Sequence, residues 1–166
     1  EGMKRLLQTV KNDQLENGSW ASWPETKPPI FGHSDERATL SAVLALLPEA
    51  TAGDDAAIAA RDKGVQWLVD TKTDDDPQSV ALRLVLWQRL GRPATELAPL
   101  AQRIKERQNA DGGWSQTPQM PSDAWATGQA LYALAHAGIK SEDAVVQRAQ
   151  AFLVATQRAD GSWPMT

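Results

Sequence analysis

The chain has 166 residues, a formal net charge of -4 and no cysteine. That length suits a single domain with a sizeable core, and the acidic balance, with no basic stripe, excludes a nucleic-acid partner. The missing thiols exclude disulfides, thiolate zinc sites and cysteine nucleophiles. No apolar run approaches the roughly 20 residues that span a bilayer, and no signal peptide is visible. The start at Glu1, without an initiator methionine, is expected of a piece processed or excised from something longer. Alanine and leucine dominate the apolar set and strand-like alternation is absent, so the composition reads as all-α.

The first predicted helix covers 2–15 and runs into the heptad QLENGSW, Gln14 to Trp20. A long Pro-rich loop, 21–33, follows and carries Trp23, Phe31 and His33. The next helix, 35–47, is apolar nearly all round, as a helix buried on several sides should be. A helix over 54–72 contains Lys63, Gly64 and Trp67, the first half of a motif whose second half is eroded. Lys72, Asp76 and Gln78 stand there where glutamine, glycine and tryptophan are expected. The acidic run Asp74-Asp75-Asp76 reads as a solvated turn that caps the apolar helix 77–90.

The predicted helix 94–108 places Leu97, Leu100, Ala101 and Ile104 at i, i+3, i+4 and i+7, one apolar stripe with a wet opposite face. It ends in QNADGGW, Gln108 to Trp114. A second Pro-bearing loop, 115–121, leads to the apolar helix 123–137, whose Trp125 and Tyr132 share a face. The last helix, 141–157, has its stripe at Val145, Val146, Ala149, Phe152 and Leu153 and ends in QRADGSW, Gln157 to Trp163. Asp35, Asp76 and Asp123 fall at equivalent places at the starts of the three apolar helices and are expected to cap them. Gly91 and Gly138 suit left-handed helix ends, and Pro93 a first turn. The layout is about seven helices, alternating outer and inner, in one domain of four sixteen-residue repeats at 5–20, 63–78 (degenerate), 99–114 and 148–163.

The sixteen-residue template, complete from Arg148 to Trp163, and the QxxDGSW heptads resemble the QW repeats of squalene–hopene cyclases, oxidosqualene cyclases and protein prenyltransferase β-subunits. The resemblance implies an α/α toroid-type array of helical hairpins around a cavity, here an incomplete or open ring. It also implies structural duties for Gln14, Trp20, Gln108, Trp114, Gln157, Gly161 and Trp163. Glutamine would tie one helix to the next, glycine allow the turn, and tryptophan pack over the amide. Three and a half hairpins are fewer than a closed ring holds, so the remainder of a parent chain, or a second copy, is expected to complete it.

The same resemblance names chemistry to look for. A D-x-D-D-T-A acid cluster is replaced by Ser34-Asp35-Glu36-Arg37-Ala38-Thr39 and by Ser122-Asp123-Ala124-Trp125-Ala126-Thr127, each with a single Asp. Asp123 is the candidate proton donor, with helix capping as its competing role. An Asp/Cys/His zinc site is impossible without cysteine, a thioester likewise, and the acidic run lacks the last Asp of D-D-x-x-D because Gln78 occupies it. No metal and no cofactor is implied. Trp125, Tyr132, His136, Trp23 and Phe31 are the candidate ligand-binding residues, suited to an apolar small molecule. Three readings result: a non-catalytic binding or interaction module for an isoprenoid-like ligand; a fragment of a terpenoid cyclase whose acid motif lies elsewhere; and, ranked last, an α/α-toroid enzyme acting on polysaccharide.

Overall fold

The computed structural model describes residues 2–22, 34–72 and 74–164. Among them are seven α-helices and no strand: α1 (Gly2–Asn12), α2 (Asp35–Thr51), α3 (Asp55–Asp70), α4 (Pro77–Arg89), α5 (Ala94–Glu106), α6 (Ala124–His136) and α7 (Ala144–Thr156). The architecture is all-α, an array of helical hairpins of the α/α toroid type. The chain divides into two compact units, and within the described residues the break falls between Asp74 and Asp75. In the first unit α2 packs along α3, with α1 against both. Leu40, Val43 and Leu46 of α2 and Leu68 of α3 are fully buried there. In the second unit α4 packs on α5 and α6, and α6 on α7. Leu84, Leu86, Ile104, Leu134 and Ala149 form its interior.

The helix starts have local causes. Asp76 accepts from the Ser79 N–H at 3.0 Å and Asp123 from the Ala126 N–H at 2.8 Å, so both cap as expected. Asp35 does not. Ser34 is the N-cap of α2, accepting from the Arg37 N–H at 3.1 Å, and this moves Asp35 into the first turn. There its carboxylate accepts from the Ser22 N–H at 2.8 Å. α2 also extends beyond the expected 35–47, through Pro48 to Thr51. Pro48 faces solvent, where a missing backbone bond is cheap, and the extra turn is anchored by buried Ala50. α7 begins later than expected because Asp143 caps it, accepting from the Val145 N–H at 2.9 Å. Gly91 and Gly138 have φ of 69° and 80° and close the ends of α4 and α6.

The glutamine–tryptophan motifs are joints with a fixed hydrogen-bond plan. The Gln14 amide donates to the carbonyls of Gly18 and Ala60, each at 2.9 Å. Gln108 does the same toward Gly112 at 2.9 Å and Val145 at 2.8 Å, and its oxygen accepts from Arg148. The amide thus ties its own turn to the following outer helix rather than to the start of the next inner helix. The inner helix is held by the tryptophan backbone, whose N–H donates to the hydroxyl of Thr39 from Trp20 and of Thr127 from Trp114, both at 3.0 Å. Each indole N–H reaches back ten residues, to Val10 O at 2.6 Å, Ile104 O at 2.7 Å and Leu153 O at 2.9 Å. Gly112, at φ 90°, lies so close to α7 that an added Cβ would stand 2.6 Å from the Arg148 carbonyl, which leaves room only for glycine. The third joint keeps the Gln157-to-Gly161 bond at 2.9 Å, but Trp163 is 38% exposed against 1% for Trp114.

Two lysines brace these joints. Lys11 pairs with Asp54, the cap of α3, at 3.2 Å and Lys105 with Asp143, the cap of α7, at 2.7 Å. The Ala57 N–H and then Lys11 hold Asp54 below the ordinary carboxylate range; Lys105 and then the Val145 N–H do so for Asp143. Burial works against the charge of Lys11, but Asp54 and Glu49 outweigh it and raise its pKa. For a depressed carboxylate, stability is full above the unfolded value near 3.9 and is lost as pH falls through the lower folded value. The urea midpoint is therefore expected to drop on acidification from about pH 5 to about pH 3. Lys11→Met and Lys105→Met should flatten that drop in denaturation series across this range. In a second series, Gln108→Ala is expected to lower unfolding stability by about 1–3 kcal/mol. Gln157→Ala, on an exposed joint, should change it by under about 0.5 kcal/mol.

Candidate functional site

Asp123 lies where a proton donor was expected, and the structure commits it elsewhere. It is 5% exposed. Besides the cap bond, its second carboxylate oxygen accepts from the Gln116 side-chain amide at 2.9 Å. Its backbone forms an isolated antiparallel bridge with Trp114, the Asp123 N–H donating to the Trp114 carbonyl at 3.0 Å. The residue therefore brackets the 115–121 loop and starts α6 on the tryptophan joint. The acidic run is likewise divided: Asp74 accepts from the Ser34 hydroxyl at 2.6 Å, Asp75 pairs with Arg103 at 2.7 Å and with Arg107, and Asp76 caps α4. The two arginines hold Asp75 below the ordinary carboxylate range. Among the described residues no three His, Asp or Glu side chains converge as a metal site requires.

Two of the aromatic candidates of α6, Tyr132 and His136, are in contact. Trp125, Tyr132 and His136 lie at i, i+7 and i+11, one stripe of the helix, and all three are at least partly exposed. The rings of Tyr132 and His136 meet edge to face, centroids 4.5 Å apart. Side chains of α4 fix both rings: the Tyr132 hydroxyl accepts from Arg89 at 2.8 Å, and His136 Nδ1 lies 3.3 Å from the Gln88 amide oxygen. That amide oxygen only accepts, so Nδ1 is the donor in this contact. Gly128 lies on the same stripe between Trp125 and Tyr132, with open space where its Cβ would be. The helix surface between the Trp125 and Tyr132 positions is therefore uncovered at Gly128. Tyr132 is 52% exposed, a large apolar ring left in water although it is held in place. Trp23 and Phe31, the other two ligand candidates, lie outside the described residues, as does His33.

Sequence pattern missed several of the residues that shape these sites. Thr39 and Thr127 are buried hydroxyls in the apolar helices, and only their identical place after Asp35 and Asp123 in the two superposable segments marks them. Lys11 and Lys105 each precede a motif glutamine by three residues, a spacing visible in two of the four copies. Arg89 and Gln88 carry no sequence signal for pairing with α6.

Residues 52–157 match the family model described as the squalene-hopene cyclase N-terminal domain. A search of curated proteins found no match. Because Asp123 is a bracket, Asp123→Ala is expected to cost about 1–3 kcal/mol of stability. Thermal or urea unfolding checks this, and Gln116→Ala, which removes one of the three bonds, should cost less.

Proposed function

The chain belongs to the squalene-hopene cyclase N-terminal domain family, and on that premise we propose that it acts as a non-catalytic binding or interaction module. Its small-molecule ligand is apolar and isoprenoid-like, taken on the Trp125–Tyr132–His136 face of α6. The observation that carries the reading is the state of Asp123. A carboxylic acid that protonates an alkene must be protonated and aimed at substrate, usually by crowding carboxylates together. Asp123 instead spends both oxygens on Ala126 and Gln116. Asp35, its counterpart, accepts from a backbone N–H.

Support for the ligand comes from the held, half-exposed aromatic pair. Such rings cost little further ordering when a flat or branched hydrocarbon covers them. Gly128, with open space at its Cβ, leaves the surface between Trp125 and Tyr132 free for a methyl-bearing chain.

The family match also favours a second reading, part of a terpenoid cyclase whose acid motif lies outside these residues. A D-x-D-D sequence in the same reading frame would favour it.

Squalene presented in cyclodextrin tests both halves of the main reading. Mass spectrometry is expected to find no cyclised product, and the appearance of one would sink the non-catalytic role. Titration should shift tryptophan emission saturably, and the double variant Trp125→Ala/Tyr132→Ala should weaken binding roughly tenfold. Equal binding by wild type and variant would remove the α6 face from the account.

A further inference from the structure

The first joint differs from the other two in one residue that carries chemistry. Its turn has Asn17 before Gly18, where the second has Asp111 before Gly112 and the third Asp160 before Gly161. Of the chain's three asparagines, only Asn17 precedes a glycine. The side chain does the same work in all three turns. Asn17 Oδ1 accepts from the Ser19 N–H at 3.0 Å and the Ser19 hydroxyl at 2.8 Å. Asp160 Oδ1 accepts from the Ser162 N–H at 3.0 Å and hydroxyl at 2.7 Å, and Asp111 Oδ1 from the Gly113 N–H at 2.9 Å. Both bonds of Asn17 go to its oxygen, so its amide nitrogen is no part of the joint. Asn17 and Asp111 are both exposed, the latter with α4 packed beside its joint, so a preceding helix does not cover this position. Gly18, by contrast, is buried, and its N–H donates to the Leu15 carbonyl at 2.9 Å.

We propose that Asn17 is a deamidation site gated by its joint: closed to reaction while the turn is formed, and lost irreversibly to isoaspartate once it opens. A following glycine permits the ring closure, since no Cβ crowds its nitrogen. In the open turn the Gly18 nitrogen gives its proton to solvent and bonds Asn17 Cγ. The Cγ–Nδ2 bond breaks, and the nitrogen takes a proton back and leaves as ammonia. Water then opens the cyclic imide. Addition at Cγ leaves aspartate at position 17, and addition at the Asn17 main-chain carbonyl leaves isoaspartate, with the chain running through Cγ. The net change is hydrolysis of one amide by one water, with no oxidation or reduction. In the closed turn two contacts block the first step. The Leu15 carbonyl holds the Gly18 N–H away from solvent base, and Ser19 holds the Asn17 side chain. The two products then part company. Aspartate loses no bond of the joint, as Asp111 and Asp160 show, and the Ser162 hydroxyl and N–H hold Asp160 below the ordinary carboxylate range. Isoaspartate adds a main-chain atom to a turn without room for it. A Cβ on Gly18 would stand 2.6 Å from the Lys63 carbonyl, and the Gly18 carbonyl is itself held by Gln14 at 2.9 Å. A chain carrying isoaspartate cannot close the joint again.

The test follows residue 17 by peptide mass spectrometry as the protein ages in mildly alkaline buffer, with electron-transfer fragmentation to separate aspartate from isoaspartate. The folded chain is expected to gain mass at residue 17 at least roughly tenfold more slowly than the urea-unfolded chain. Gln14→Ala, which removes the ties to Gly18 and Ala60, should speed the folded rate at least roughly threefold. Gln108→Ala, at the other joint, should leave that rate unchanged. A urea series below the unfolding transition gives the same reading without a variant, the rate rising in step with indole exchange of Trp20. Asn17→Asp is expected to keep the wild-type urea midpoint, whereas chains isolated with isoaspartate should show fast Trp20 indole exchange. Equal rates in folded and unfolded protein, or equal rates in Gln14→Ala and Gln108→Ala, would overturn the gating. A lowered midpoint in Asn17→Asp, or slow Trp20 exchange in the isoaspartate chains, would overturn the assigned fates of the two products.

Discussion

The indole N–H of each motif tryptophan bonds a carbonyl ten residues earlier, and the rest of the helix array takes its register from that bond. It folds the QxxDGSW turn back onto the end of its outer helix and fixes where the tryptophan backbone points. That backbone N–H then finds a threonine hydroxyl on the next inner helix, and the glutamine finds a carbonyl on the next outer one. Three helices meet at one side chain and one turn. Buried donors of this kind are costly to leave unmet, so the joint specifies which helices are neighbours as well as holding them.

The sixteen-residue repeat gains a physical meaning from this plan. Its second half makes a joint, and its first half receives the previous one: the Gly112 turn packs on the Arg148 carbonyl, Gly113 on the Phe152 ring, and Arg148 donates to Gln108. The degenerate second copy keeps the receiving half, with the Gly18 turn against the Lys63 carbonyl and Gly64 making room for the Trp20 ring. It has lost the glutamine, glycine and tryptophan of the making half. The break between the two compact units falls within that eroded stretch.

Much of this was legible in the chain. Outer helices announced themselves by a one-sided apolar stripe, inner helices by apolar residues all round, and Asp76 and Asp123 by their place before an apolar run. Asp35 misled because a serine precedes it and either residue can cap; only the backbone decides between them. The lysine braces and threonine acceptors escaped because they act across 38 residues or more, or are single polar atoms in apolar helices, where periodicity carries no information. The α6 face was half legible. Spacing put Trp125 and Tyr132 on one stripe, but Arg89 and Gln88, which hold Tyr132 and His136, come from another helix.

The division of labour is between residues that join helices and residues that face outward. Asp123 belongs with the joiners, and the α6 aromatics belong with the outward set. Hydrogen exchange of the tryptophan indole protons by NMR tests the joint most directly. The account predicts slow exchange for Trp20 and Trp114, whose joints are closed, and markedly faster exchange for Trp163. Uniformly fast exchange at all three, or protection of Trp163 equal to that of Trp114, would contradict it.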